Sequence, residues 1–410
     1  MKAYVVGGAV RDALLGRPNA DQDWVVVGAS PEEMVQAGFT AVGRDFPVFL
    51  HPTSKQEYAL ARTERKTAPG YRGFTFHADP AVTLEQDLAR RDLTVNAMAF
   101  DEDGTLIDPY GGRHDLGARL LRHVSPAFAE DPVRILRLAR FAARLHDFSV
   151  APQTMVLARR MVDAGEADAL VPERVWQEVA RGLMEARPSR MLQVLRDTGA
   201  LARLMPEVDC LWGAAPTQHE PPAQRLLRVL DISAGLGCTL PQRFACLGHA
   251  IEAGRASTVV DSSAPAGSGT DLPKLEALCR RLRVPAPCHE LARLVAHEFP
   301  AVERCESMAA TDLLHLLERC DALRRPERFD AMLLACECIA LGAHAMPQPA
   351  PAQRARLQLG LRHALQVDTR RIAAHAVAQG LTGPAIGQAI HDARLEAISA
   401  GMGWGQDGVT

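Results

Sequence analysis

Lysine is nearly absent from this chain. Lys2, Lys55, Lys66 and Lys274 are the only four among 46 basic residues. Positive charge is therefore carried by arginine, which we read as codon usage in a GC-rich genome and not as a function in itself. Acidic residues number 49 and the net charge is −3, which argues against a whole-surface attraction for nucleic acid and leaves only a local basic face. The nine cysteines form no C-x-x-C pair; Cys336 and Cys338 are two apart and the others are scattered. Neither a disulfide framework nor a zinc site follows, and a reducing cytoplasm is the expected compartment. No signal peptide and no run of eighteen apolar residues is seen, so no membrane span is expected. At 410 residues and 47% hydrophobic, the chain has ample core for two to four domains.

The amino terminus carries the first chemistry. Val5-Val6 runs into Gly7-Gly8-Ala9-Val10-Arg11-Asp12, and Asp21-Gln22-Asp23 opens the apolar run Trp24-Val25-Val26-Val27. Gly7 and Gly8 let backbone N–H groups approach a phosphate with no side chain between. The helix that follows aims its positive end at the same place, and Arg11 adds a charge-assisted donor. Asp21 and Asp23 lie two apart on a strand, so both carboxylates share a face and suit one or two Mg²⁺ ions. Singly, a double glycine is an ordinary turn and a D-x-D pair an ordinary solvated surface. In this order and spacing the two point to nucleotidyl transfer.

Residues 1 to about 122 alternate strand-like and helix-like segments. Strands are expected at Ala3–Val6, Trp24–Val27, Ala41–Val42, Val48–Leu50, Tyr58–Ala61, Val95–Phe100 and Leu106–Ile107. Helices are expected at Val10–Leu15, Pro31–Ala37 and Thr83–Arg90, and Arg62–Asp79 reads as a mobile loop beside the site. From about Ser125 onward the pattern is almost wholly helical. Within Asp131–Leu145, Arg134, Arg137, Arg140 and Arg144 recur every three or four residues as one basic stripe. Further helices are expected at Met155–Ala164, Pro172–Glu185 and Arg190–Thr198, then a loop-rich break over Pro206–Pro222. A helical region over 223–345 is interrupted by the Ser/Gly/Ala-rich stretch Ser257–Leu272, expected to be disordered. Pro347–Pro351 reads as a linker, about 353–400 as two or three helices, and Gly401–Thr410 as a frayed end.

Two more constellations stand out. In Arg90-Arg91-Asp92-Leu93-Thr94-Val95-Asn96, Arg91 can contact a triphosphate while Asp92 and Asn96 hold the sugar or brace the site; a capped helix end with an internal ion pair is the plainer alternative. In Glu130-Asp131-Pro132-Val133-Arg134, Asp131 and Arg134 share a helix face and offer an acceptor and donors to the Watson–Crick edge of cytosine or adenine. Asp131 before Pro132 is also an ordinary helix start, and both readings can hold together.

With these residues in order, the chain resembles the class II CCA-adding enzymes, the bacterial tRNA nucleotidyltransferases of the polymerase-β superfamily. Gly-Gly-x-x-Arg-Asp, D-x-D, R-R-D-x-x-x-N and E-D-P-x-R-x-x-R follow the family's sequence order over about residues 1–210. The resemblance implies an α+β chain: a polymerase-β-like nucleotidyltransferase head with a mixed sheet (1–122), then an all-α neck (123–210), body (211–346) and tail (347–410). It implies that Asp21 and Asp23 are catalytic and bind Mg²⁺, and that Gly8, Arg11 and Arg91 hold the incoming nucleotide. It also implies that Asp131 and Arg134 select C or A, with Arg137 and Arg140 lining the nucleotide pocket. Glu64 is a further acidic candidate. The implied substrates are CTP, ATP and tRNA, the last gripped at its acceptor and TΨC arms by phosphate and 2′-OH contacts.

Many relatives carry a metal-dependent HD phosphohydrolase domain, which needs an adjacent His-Asp pair. Here the matching positions read His249-Ala250 and His297-Glu298, and Gln218-His219-Glu220 keeps little of the family pattern. We expect a retained but catalytically dead HD-like region, with His249 and His297 as ordinary histidines. His114-Asp115, His146-Asp147 and His391-Asp392 read as chance surface pairs. Competing functions are a poly(A) polymerase on the same fold and a tRNA-binding protein with a decayed site.

Overall fold

The computed structural model describes residues 1–17, 22–42, 48–66, 74–77, 79–215, 220–253, 272–343 and 352–402. The chain divides into two compact units, Met1–Asp209 and Cys210–Thr410.

The first unit is built on a seven-stranded mixed sheet. Its strands are β1 (Lys2–Val6), β2 (Asp23–Val27), β3 (Thr40–Val42), β4 (Val48–Leu50), β5 (Glu57–Leu60), β8 (Ala99–Phe100) and β9 (Leu106–Ile107), in the order β3-β4-β5-β2-β1-β8-β9. Only β2 and β5 run parallel; the other pairs are antiparallel. Side chains alternate across the sheet, so β2 feeds two cores. Val25 packs with Val6, Ala99 and the helix residues Leu84 and Leu88. Val26 packs on the other face with Phe49, Leu60 and Met34. Each fully buried Leu or Met there contributes about 2 kcal/mol. Asp23 lies two residues before Val25 and so shares the Leu84–Leu88 face.

The covering helices have legible starts. Between β1 and β2 runs α1 (Gly8–Leu14); α2 is Pro31–Gln36 and α3 is Leu84–Ala89. Ser30 and Glu33 form a capping box at α2, as Thr83 and Gln86 do at α3. Two expectations fail in this region. Arg62–Asp79 is not all loop: β6 (Thr63–Lys66) pairs antiparallel with β7 (Phe74–His77), Thr63 opposite His77. The run Thr-Glu-Arg-Lys has no apolar alternation, yet ladder hydrogen bonds need only backbone. Val95–Phe100 is not one strand either. Thr94–Asn96 forms a single 3-10 turn, and only Ala99–Phe100 joins the sheet, because Asn96 is turned inward to polar partners.

After α4 (Gly112–Gly117) and β10 (Leu120–Leu121) comes α5 (Val133–Arg144). It starts two residues later than its pattern suggests. Asp131 is extended (φ −117°, ψ 109°) and caps from outside, accepting from the Val133 N–H at 3.1 Å. β11 (Ser149–Val150) pairs parallel with β10. Then follow α6 (Pro152–Asp163), α7 (Pro172–Leu183), α8 (Pro188–Asp197), α9 (Ala200–Leu204) and α10 (Pro206–Asp209), the last lying where a break was expected. Pro at N1 of α6, α7 and α8 pre-sets φ where no N–H is needed. α7 and α8 both pack on α5. Gly182 lets α7 and α8 approach, since a Cβ there would overlap the Met191 Sδ.

The second unit is helical: α11 (Pro222–Gly235), α12 (Leu240–Ala253), α13 (Pro273–Leu282), α14 (Ala286–Glu303), α15 (Ala310–Arg319), α16 (Pro326–Gly342), α17 (Gln353–Leu365), α18 (Thr369–Ala378) and α19 (Gly383–Gly401). All nine cysteines lie here; Cys210 is exposed and the others are buried as small apolar packing. His219, all but Leu272 of the Ser257–Leu272 stretch, and the Pro347–Pro351 stretch lie outside the described residues. Among the described residues, no helix is long and apolar enough to cross a membrane.

Candidate active site

The strand register sets the first wall. Asp23 pairs with Val6, the residue before Gly7, so the glycine turn and the exposed carboxylate emerge side by side at one sheet end. Gly7 has φ +72°, and a Cβ on it would stand 2.9 Å from Arg91 Nη1. Only glycine relieves both constraints. Gly7, Gly8, Arg11, Asp23, Arg91, Asp92, Asn96, Asp131, Arg134, Arg137 and Arg140 all line one cleft of 590 Å³. The expected ligands thus meet there, with one exception: Asp21 lies outside the described residues. Nothing is described of the Glu64 side chain.

Behind the wall, the arginines are held by a polar network. Arg11 is 2% exposed. It donates from Nε and Nη2 to Asp12 at 2.9 and 3.0 Å, and from Nη1 to Asn96 Oδ1 at 2.6 Å. Arg144 reaches the same Asp12 carboxylate at 2.7 Å. Asn96 in turn donates to Asp92 at 3.1 Å, and Asp92 accepts from Arg137 Nε at 2.7 Å and from the Leu93 N–H at 2.8 Å. Burial pushes the Asp92 carboxyl up, but Arg137, Asn96 and Arg134 more than offset this and bring it to about 2. Asp92 likewise raises the Arg137 guanidinium above its ordinary value. Asp92 and Asn96 therefore brace the site.

Arg91 donates to the buried Asp87 at 3.2 Å while facing the cleft, and Arg90 grips both Asp87 and the Arg62 carbonyl. The helix-end ion pair and the cleft contact coexist. Arg134 donates to the Ala127 carbonyl at 2.7 Å. Arg11, Arg137 and Arg140 each lie within 6 Å of the Phe141 ring centroid, at 5.3, 5.7 and 4.6 Å, a cation–π arrangement that gathers like charges.

Sequence reasoning missed Phe141 and the α7 partners. Arg174 holds Asp131 bidentately at 2.8 and 3.2 Å, and Glu178 accepts from Arg140 at 2.7 Å. Their i, i+4 spacing on Pro172–Leu183 was available as a signal. Arg62, Arg90, Arg144 and Arg181 also line the cleft. Asp115 is no chance surface carboxylate. It is buried, and takes the Thr94 hydroxyl at 2.7 Å and Arg122 at 2.9 Å. His391 pairs with Glu318 at 2.9 Å.

Such a cleft offers backbone and arginine donors to a triphosphate, an exposed carboxylate as a hard oxygen ligand for a divalent metal, and a carboxylate–guanidinium edge for a base. The comparisons agree with that chemistry. The poly A polymerase head domain model matches residues 3–122, and the model described as the probable RNA and SrmB-binding site of polymerase A matches 147–211. A Multifunctional CCA protein of Leptothrix cholodnii is 58% identical over 404 residues, covering 98% of this chain and 96% of the relative. An apo CCA-adding enzyme structure superposes with TM-score 0.68 at 21% identity, covering 97% of this chain and 88% of the other. The Bacillus stearothermophilus CCA-adding enzyme in complex with CTP gives TM-score 0.64 at 25% identity, covering 97% and 89%. The 58% identity to the Leptothrix protein over 98% of the chain places this protein in the family of the multifunctional CCA proteins, within the class II CCA-adding tRNA nucleotidyltransferases.

Proposed function

We propose that this cleft adds and repairs the 3′-terminal CCA of tRNA without a nucleic-acid template, using CTP and then ATP. One observation carries the reading: residues from Gly7 to Arg181, drawn from β2, α1, the segment after α3, α5 and α7, converge on a single cleft, which we read as having a phosphate end and a base-reading end.

Gly8, Arg11 and Arg91 take the triphosphate. Arg11 enters with three N–H groups already committed to Asp12 and Asn96, so its remaining donors are pre-aimed and little reorganisation accompanies binding. Asp131 and Arg134 read the base: an acceptor for the exocyclic amino group of C or A, and donors for the ring acceptors. Arg137 and Arg140 line the pocket between. The tRNA 3′-hydroxyl then attacks the α-phosphate; an O–P bond forms as the hydroxyl proton passes to solvent, the α–β P–O bond breaks, and pyrophosphate leaves. Asp21 and Asp23 are the residues that would hold Mg²⁺, which when bound lowers the pKa of the attacking hydroxyl and neutralises phosphate charge.

No hydrolase activity is assigned to residues 211–346. Position 250 is Ala, and His249 stands 4.4 Å from the Phe299 ring with burial pushing its pKa down to about 4. Metal-dependent release of phosphate from 2′,3′-cyclic substrates with added Ni²⁺, Co²⁺ or Mn²⁺ would overturn that assignment. The transferase reading is tested with Asp21→Ala and Asp23→Ala on a tRNA lacking its 3′ end. Both variants should lose nucleotide addition, and full activity in both would remove the proposed metal ligands. Long A tails from the unaltered protein would instead indicate a poly(A) polymerase.

A further inference from the structure

Asp131 is held in an unusual way for a residue that must read a base. An ionised carboxylate has about four lone-pair sites. Oδ1 accepts from the Val133 N–H at 3.1 Å and from Arg174 Nη1 at 3.2 Å, and Oδ2 accepts from Arg174 Nη2 at 2.8 Å. Three sites are filled and one, on Oδ2, is left. The clamp comes from α7, which is itself tied to α5 one turn further on, where the buried Glu178 takes Arg140 Nε at 2.7 Å.

We propose that Arg174 is a positioning residue for base selection, fixing the plane of the Asp131 carboxylate so that a single acceptor direction faces the cleft. The proposal rests on the reading of Asp131 as the base-selecting carboxylate. The terminal torsion of an unclamped Asp is broad, and the group can turn to whatever donor a base presents. Cytosine and adenine place an amino donor on the Watson–Crick edge. Uracil places a carbonyl at the matching position and its only donor at the adjacent ring nitrogen. A clamped carboxylate meets the uracil carbonyl acceptor to acceptor, with no proton between, which is costly. A free one can swing to the ring N–H and recover a bond. Selectivity then resides in the rigidity of Asp131 as much as in its charge. A planar fork suits the task, because two parallel N–H groups fix a plane where an ammonium fixes only a distance.

The experiment measures kcat/KM for CTP and for UTP on a tRNA lacking its CCA, using the full chain with Arg174→Met, Arg174→Lys, Asp131→Ala and the double variant Asp131→Ala/Arg174→Met. Loss of a cleft cation weakens both nucleotides alike, so the CTP/UTP ratio isolates positioning. The expected result is a ratio about tenfold lower in R174M, an intermediate value in R174K, and a double variant no worse in ratio than D131A. If R174M fails to fold, R174K decides, because it keeps charge and length while losing the fork. An unchanged ratio in R174K then counts against the proposal. Equal losses for CTP and UTP, or additive losses in the double variant, would overturn it while leaving the base-reading role of Asp131 intact. A D131A ratio equal to that of the unaltered protein would remove the base-reading role itself, and the proposal with it.

Discussion

Replacing Asp92 by Asn tests whether the cleft is braced electrostatically. Asp92 is 5% exposed and joins Arg137, Asn96 and the Leu93 N–H. Its carboxyl sits at about 2, against the ordinary 3.8. That difference corresponds to about 2 kcal/mol of stability at neutral pH. Asparagine keeps the shape but takes from Arg137 its nearest counter-charge, leaving only the weaker fields of Glu178 and Asp131, which brings the expected loss to about 3 kcal/mol. The sign follows from linkage. The folded value lies below the unfolded one, so the stabilisation is complete above about pH 5 and is lost as pH falls toward 2. Urea unfolding of the full chain at pH 7, 5, 4 and 3 should show a gap between the unaltered protein and D92N that is widest at pH 7 and narrows steadily below pH 5. Release of Arg137 should also raise KM for both CTP and ATP. A gap of equal size at pH 3 and pH 7, or none at pH 7, would refute the reasoning.

Further outcomes follow from single contacts. Gly7→Ala should lower kcat/KM for nucleotide at least tenfold, because a left-handed alanine costs about 1–2 kcal/mol and its Cβ displaces Arg91. Gly8→Ala, whose Cβ would stand 3.5 Å from Arg11 Nη2, should be milder in the same steady-state assay. Phe141→Leu removes the ring shared by three guanidiniums; KM for CTP should rise about tenfold and thermal denaturation should show a loss of about 2 kcal/mol. His249→Phe probes burial in the second unit. The folded pKa of about 4 lies below the ordinary 6.5, so the unaltered protein should lose about 3 kcal/mol as pH falls from above 6.5 through 4, and H249F should lack that decline in urea titrations.

Much of the head was legible because its signals are local. Val48–Leu50 and Leu106–Ile107 fall where short apolar runs lie between turn residues, and the double glycine and Asp23 stand at the ends of adjacent strands whose register brings them together. The arginine stripe on α5 followed from helical spacing alone. What stayed hidden depends on partners distant in sequence. The pairings of Asp131 with Arg174 and of Arg140 with Glu178 tie α5 and its lead-in to α7; the i, i+4 spacing of Arg174 and Glu178 marks one face of α7, but it does not name the partners that face meets. Asp115 looked like surface because burial of a carboxylate is decided by Thr94 and Arg122, outside its own segment. The β6–β7 pair escaped notice because β6 is charged and shows no side-chain alternation, so the alternating Phe74-Thr75-Phe76-His77 of β7 had no recognisable partner strand beside it. Val95 and the apolar residues after Asn96 suggest a strand, but the buried polar partners of Asn96 override that signal.

The central claim is that the protein, with no template strand, chooses each base. Three tRNA substrates, lacking CCA, ending in C and ending in CC, are each challenged separately with CTP, ATP, UTP and GTP, and the 3′ ends are sequenced. The account predicts C on the first, C on the second and A on the third, with UTP and GTP rejected throughout and growth stopping at CCA. Incorporation of UTP or GTP at rates comparable to CTP or ATP, or an uninterrupted run of A, would contradict it.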